Sequence, residues 1–257
     1  MTLTGILLDI EGVLMEEGRP LPGAPEAVAR LGGMGLSHRY LTNTTTAPRA
    51  GIARRLAAAG LPATAGDVLT PAAAAARLLR EAGVSRVHLA AAPALAADFE
   101  GLELVEERPG AVVLGDLHTG FTWERLDTLF DMIRDGARLV ALHRNRVCRR
   151  EGRIALDLGP FVAALEYAAE IEATVVGKPA EAFFRGALAS LGLGPDEAAM
   201  VGDDIEADIG GARAAGLTAV QVRTGKYTER DTAEGKPRPD ARLASVADLP
   251  DWIAGRL

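Results

Sequence analysis

Short apolar runs recur along the chain, and each breaks off at small, polar or charged residues. The first is Gly5-Ile6-Leu7-Leu8, which ends in Asp9; Glu11 follows two positions later, with Gly12 directly after it. A continuous apolar run bounded by turn residues reads as a buried strand. Further strands are expected over 37–41, closing in Thr42-Asn43-Thr44-Thr45, and over 172–176, running into Gly177-Lys178-Pro179. Two more are expected over 198–201, stopping at Gly202-Asp203-Asp204, and over 217–222. Between them the pattern turns helical over 26–31, 48–59, 181–191 and 206–215. Pro25 can open the first of these helices, and Gly60, Gly192 and Gly216 can end the others. Residues 15–23 read as a turn-rich loop, 226–239 as a polar, proline-bearing stretch and 246–254 as a closing helix.

From about Pro71 the alternation restarts, with helices expected over 71–82, 122–135 and 159–168 and strands over 86–91, 111–115 and 138–142. Leu126, Leu129, Phe130 and Ile133 repeat at helical spacing, and this middle section carries enough apolar residues for its own core. Short alternating strand and helix units favour a parallel, doubly wound sheet. The expected fold class is therefore α/β. A Rossmann-like core is formed by 1–71 and 171–257, and an α/β domain is inserted at 72–170.

Composition narrows the function. A chain of 257 residues holds one large or two medium domains, and 48% hydrophobic with 25% charged residues suits a globular protein. The net charge of -7 leaves no basic stripe for a nucleic-acid backbone, although a few local cations can still hold a small phosphate. No apolar run approaches membrane-spanning length and no basic leader opens the chain, so no membrane partner is expected. Cys148 is the single cysteine, read as a buried or half-buried spectator; without a disulfide, the expected location is cytoplasmic.

Four polar clusters each follow an apolar run: Asp9 with Glu11, Thr42 with Asn43, Lys178, and Asp203 with Asp204 and Asp208. If the strands are parallel neighbours, the clusters meet on the sheet edge where α/β proteins bind ligands. Converging carboxylates repel and raise one another's pKa, and a hard divalent cation relieves this. Mg2+ prefers oxygen ligands and keeps water and substrate phosphate in its shell. His and Cys are missing from all four clusters, which argues against zinc. Lys178 and the Thr42 hydroxyl suit the charge on a transferring phosphoryl group. An aspartate beside the cation can attack phosphorus, and a second acid must protonate the leaving oxygen and then activate water. Taken singly, Asp9 reads as a turn residue, Gly177-Lys178-Pro179 as a turn and Asp204 as a helix cap. Their order along the chain is what favours the phosphate reading.

These motifs resemble those of the haloacid dehalogenase (HAD) superfamily of phosphatases. Leu8-Asp9-Ile10-Glu11-Gly12-Val13-Leu14 matches the first, Leu41-Thr42-Asn43 the second, Val176-Gly177-Lys178-Pro179 the third, and Val201-Gly202-Asp203-Asp204-Ile205 with Asp208 the fourth. The likeness is to subclass IIA, with a C2-type α/β cap inserted before the lysine motif. Within it the chain is similar to the group containing phospholysine phosphohistidine inorganic pyrophosphate phosphatase. That closer likeness rests on Phe121-Thr122-Trp123-Glu124-Arg125-Leu126, Ala155-Leu156-Asp157-Leu158-Gly159 and Gln221-Val222-Arg223-Thr224-Gly225-Lys226.

The resemblance implies a Mg2+-dependent phosphatase of small phosphorylated molecules, working through an aspartyl-phosphate. Asp9 would be nucleophile and metal ligand, and Glu11 would give its backbone carbonyl to the metal. Asp203 would be the third protein ligand, with Asp204 or Asp208 in support. Thr42, Asn43 and Lys178 would hold the phosphoryl group. Typical members carry Asp at the place of Glu11 as general acid and base. The extra methylene lengthens the reach by roughly 1.5 Å, and a misplacement of about 1 Å costs on the order of a hundredfold in rate. The alternative is therefore a phosphate- or metal-binding protein with little turnover. A signalling receiver domain fits neither the length nor the place of Asp9 on the first strand, and dehalogenation suits neither Lys178 nor the Asp203 cluster. The inserted domain would cover the site and select substrate, with His143, Arg144 and Asn145 as candidate contacts or a solvated loop. His118 reads as a surface residue and Trp123 as packing a helix start. Candidate substrates are a phosphorylated amino acid side chain, pyrophosphate, a nucleotide monophosphate, pyridoxal phosphate or a sugar phosphate; caps of this kind also pair into homodimers.

Overall fold

The computed structural model describes residues 3–150 and 153–256. The chain divides into two compact units, one formed by 1–42, 49–69 and 178–257, the other by 43–48 and 70–177.

The first unit is built on a six-stranded sheet in the order Ala241–Leu243, Thr218–Val222, Ala198–Gly202, Gly5–Asp9, Ser37–Leu41, Val68–Leu69. Every pairing is parallel. All residues of the two central strands, Gly5–Asp9 and Ala198–Gly202, are buried, as expected for a parallel sheet covered on both faces. Ile6, Leu7 and Leu8 are fully buried, each contributing about 1.5–3 kcal/mol by leaving water. Helix Ala24–Gly33 buries Ala24, Ala27, Val28 and Leu31, one stripe at helical spacing, and has a proline in its first turn. It packs with helix Leu249–Ala254, while helix Glu181–Leu191 packs with Gly211–Ala214 and with strand Ser37–Leu41. The architecture is the doubly wound α/β fold that the alternation of elements calls for.

The second unit has its own parallel sheet, in the order Thr174–Val175, Arg138–Ala141, Ala111–Leu114, Arg86–Ala90, Glu103–Leu104. Its core joins Val112, Val113, Leu114, Leu139 and Val140 from the sheet to residues of its helices, among them Leu79, Leu129, Ile133 and Val162. Helices Pro71–Glu81 and Trp123–Arg134 are capped by Thr70 and Thr122, whose hydroxyls accept from the N–H groups of Ala73 and Arg125, both at 3.2 Å. A separate antiparallel hairpin pairs Val147–Arg150 with Arg153–Leu156.

Several expectations need correction. The strand ahead of Lys178 is only Thr174–Val175, and it pairs with Val140 and Ala141 in the second sheet. Residues 171–177 thus run with the middle unit, and the chain changes units at Lys178. The helix expected over 206–215 begins as a π-helical turn, Ile205–Gly210, before the short helix Gly211–Ala214. The loop at 15–23 contains a small hairpin, Met15–Glu16 with Arg19–Pro20. Trp123 opens its helix but is 73% exposed, so most of its ring faces solvent rather than packing the helix start. Among the described residues, no helix is long and apolar enough to cross a membrane.

Candidate active site

The register of the first sheet places the polar clusters side by side. Asp9 pairs with Leu41, so Thr42 leaves the sheet beside it. Leu8 pairs with Val201, which sets Gly202 and Asp203 on the other flank. Gly202 pairs with Gln221, so the loop bearing Gly225 and Lys226 leaves the same edge. Carboxylate oxygens of Asp9, Asp203 and Asp208 lie within 4.8 Å of one another. All three residues are buried, as are Thr42 and Lys178.

Lys178 is the bridge. Its Nζ lies 2.7 Å from Asp9 Oδ1 and 2.6 Å from Asp208 Oδ1. Burial favours the neutral amine, but Asp208 and Asp9 outweigh it and hold the lysine more firmly protonated than a free one. Burial, then the charge of Asp9, push Asp208 above the usual carboxylate range against the pull of Lys178. Lys178 does not reach this place from a strand of the first sheet; it opens the return segment ahead of helix Glu181–Leu191, which Phe183 and Phe184 anchor in the core.

Asp203 is held at one end only. The backbone N–H of Lys226 donates to its Oδ2 at 2.6 Å, whereas Oδ1 is buried and has no hydrogen-bond partner among the described residues. Gly12 and Gly225, both at positive φ, press their backbones on this carboxylate, and a Cβ on either would overlap Oδ2. Burial first, then the charges of Asp9 and Asp208, raise the Asp203 carboxyl well above its ordinary value. An orphaned buried oxygen costs free energy, and three oxygen donors without nitrogen or sulfur form a hard set. The residues fit a hard divalent cation.

Asp204 is not part of that cluster. Its Oδ1 accepts from the N–H groups of Glu206 (3.1 Å) and Ala207 (3.0 Å), capping the turn that carries Asp208, and its Oδ2 pairs with Lys226 Nζ at 3.1 Å. Burial would raise its pKa, but Lys226 and these N–H groups lower it. Lys226 is the site residue that strand-by-strand reading leaves out. It was legible by the same rule as the others, since Gly225-Lys226 follows the apolar run 217–222. The Glu11 side chain is exposed. Loss of surrounding water raises its carboxyl, Arg55 opposes, and Asp9 and Glu16 add to the rise.

The remaining expected residues lie in the second unit. Asn43 sits there beside Gly177, where a Cβ would come 2.7 Å from Asn43 Oδ1. His143 is not in a solvated loop: it is buried, its Nδ1 accepts from the Asn145 N–H at 3.3 Å, and its Nε2 is 3.8 Å from buried Asp157. Arg144 Nη2 pairs with Glu166 Oε2 at 2.6 Å. Cys148 is half-buried.

The haloacid dehalogenase-like hydrolase family model matches residues 6–104, and a HAD-hydrolase-like model matches 175–249. The chain is 39% identical over 255 residues to haloacid dehalogenase-like hydrolase domain-containing protein 2 of Pongo abelii, covering 99% of this chain and 97% of that protein. It is 36% identical to phospholysine phosphohistidine inorganic pyrophosphate phosphatase of Bos taurus, covering 97% and 93%. A glycerol phosphate phosphatase of Mycobacterium tuberculosis, solved in complex with magnesium, superposes with a TM-score of 0.83 at 32% identity, covering 96% of this chain and 76% of that one. These likenesses run through the same strands that carry the acidic cluster, and the chain belongs to the haloacid dehalogenase-like hydrolases as a phosphatase.

Proposed function

We propose that the protein is a Mg2+-dependent phosphatase that hydrolyses small phosphorylated molecules through an aspartyl-phosphate on Asp9. The observation that carries this reading is the buried Lys178 bridge between Asp9 and Asp208, set beside the unpartnered Oδ1 of Asp203. Asp9, Asp203, Asp208 and the backbone carbonyl of Glu11 would hold the cation, which when bound supplies charge neutralisation for the phosphoryl group. Lys178 fixes the Asp9 carboxylate and adds positive charge where the phosphoryl oxygens gather; Thr42 and Asn43 are assigned to binding that group. An Asp9 oxygen forms a bond to phosphorus while the bond to the leaving oxygen breaks, and that oxygen takes a proton from Glu11. Glu11 then accepts a proton from water, which attacks the phosphorus and releases inorganic phosphate and free Asp9. A carboxyl raised toward working pH suits this donor and acceptor role.

The names of the relatives support the substrate class: phosphorylated side chains and pyrophosphate for one, glycerol phosphate for another. The exposed Val147, Ile154, Leu156 and Tyr167 of the second unit support pairing of two copies through that unit. The single cysteine supports a cytoplasmic location.

A second reading, a binding protein with little turnover, is favoured by the longer Glu11 side chain alone. Turnover of p-nitrophenyl phosphate with Mg2+ separates the two. Hydrolysis by the native chain, abolished in Asp9→Asn, supports the phosphatase; hydrolysis only after Glu11→Asp supports the second reading.

A further inference from the structure

We propose that Lys226 is a positioning residue that sets which divalent cation the acidic cluster prefers, by limiting the carboxylate oxygens offered to it. The inference rests on the metal-dependent reading above and adds a specificity determinant to it.

Three acids form the cluster and Asp204 lies beside it, and Lys226 holds one oxygen each of Asp203 and Asp204. Its N–H occupies Asp203 Oδ2, so this carboxylate offers Oδ1 alone. Its Nζ occupies Asp204 Oδ2, while the turn at 205–210 occupies Asp204 Oδ1, so Asp204 offers neither oxygen. The four carboxylates of Asp9, Asp203, Asp204 and Asp208 face two ammonium groups, Lys178 and Lys226, which leaves the charge that one divalent cation balances.

The loop that presents Lys226 is fastened for this task. The Thr224 hydroxyl donates to the Gly12 carbonyl, joining it to the loop after Asp9. Fully buried Gln221 donates through Nε2 to Asp231 Oδ2 at 2.8 Å and to the Asp203 carbonyl at 3.4 Å. Asp231 also accepts from the Thr228 hydroxyl at 3.1 Å, and Arg242 Nε donates to Gln221 Oε1 at 3.0 Å. Lys226 therefore meets Asp203 and Asp204 from a braced corner.

The consequence follows from ligand number. Ca2+ takes about six to eight oxygens and accepts bidentate carboxylates, whereas the smaller Mg2+ takes few carboxylates and keeps its waters. Withholding Asp204 and half of Asp203 favours Mg2+. Freeing Asp204 Oδ2 adds one anionic oxygen beside the cluster that the larger cation uses better.

Isothermal titration calorimetry on the full chain, with Mg2+ and Ca2+ in turn, tests this without reference to turnover. Lys226→Met should raise the ratio of Ca2+ to Mg2+ affinity by about tenfold, equivalent to about 1.4 kcal/mol. Lys226→Arg, which can still pair with Asp204, should keep the native ratio, and the double variant Lys226→Met with Asp204→Asn should return toward it. Equal strengthening of both cations in Lys226→Met, with the ratio unchanged, would show that the lysine acts only as a repelling charge and overturns the proposal. If the native chain binds Mg2+, the metal reading stands whatever the ratio does; if it binds neither cation, both fall.

Discussion

Replacing Lys178 by Met removes one charge from a place where it faces two carboxylates at hydrogen-bond distance. Lys178 and Asp208 are almost wholly buried, and Asp9 nearly so. Breaking a buried ion pair costs about 3–5 kcal/mol when the partner stays ionised. Asp208 has an escape: it can take up a proton. Its carboxyl is already raised in the folded protein, and it rises further without Lys178. The folded state then keeps a proton that the unfolded chain releases above the ordinary aspartate value. Stability contributed by this group falls as pH rises between the two values, so the substitution costs more at about pH 8 than at about pH 5. For a chain of this size, 1 kcal/mol corresponds to about 2–4 °C in Tm, which puts the metal-free loss near 6–20 °C at the higher pH. Losing a fixed donor to the phosphoryl oxygens should lower kcat by about 10²–10³. Thermal melts of the metal-free chain at both pH values, and p-nitrophenyl phosphate turnover at saturating Mg2+, measure the two effects. A kcat within about threefold of native would refute the placement of Lys178 at the reacting group. An equal Tm loss at both pH values would refute the protonation argument.

Three further outcomes follow from the same geometry. Gly225→Ala places a Cβ onto Asp203 Oδ2 at positive φ; overpacking of this kind costs about 1–3 kcal/mol and should appear as weaker Mg2+ binding by calorimetry. Glu11→Gln should slow alcohol release from an alkyl phosphate in the single-turnover phosphorylation step by about 10²–10⁴ but slow nitrophenolate release in the same step less, since nitrophenolate leaves without a proton; equal losses in that step would remove Glu11 as the acid. Asp203 and Asp208 are raised in the metal-free fold and must shed protons to bind a cation. The Tm gain from a fixed Mg2+ concentration should therefore be larger at about pH 8 than at about pH 5.5, and a gain independent of pH would contradict this.

Much of the catalytic edge was legible in the sequence because strand ends in a parallel sheet share one side. Asp9 and Asp203 each end a run buried on both faces, and burial of that kind leaves a strong apolar signal, whereas Thr42 follows a strand of which only Tyr40 and Leu41 are buried. Lys178 was found for a partly mistaken reason. The strand before it belongs to the second sheet, and its side chain reaches the cluster from the return segment. The choice between Asp204 and Asp208 was beyond spacing alone. A π turn carries Asp208 back over Gly202, where a Cβ would collide with it, and no periodicity announces that geometry. The antiparallel pair Val147–Arg150 and Arg153–Leu156 gives no such apolar signal, because Val147, Ile154 and Leu156 are exposed and no buried apolar run marks either strand. The strand Ala241–Leu243 escaped notice because an edge strand is only half-buried and three residues long.

The central claim is that phosphorus passes through a bond to Asp9. Rapid acid quench of the native chain turning over a radiolabelled phosphomonoester with Mg2+, followed by peptide mapping, tests it most directly. Label should appear on the peptide containing Asp9, be labile at alkaline pH as an acyl phosphate is, and be missing in Asp9→Asn. Steady turnover with no label on that peptide, or turnover retained by Asp9→Asn, would contradict the account.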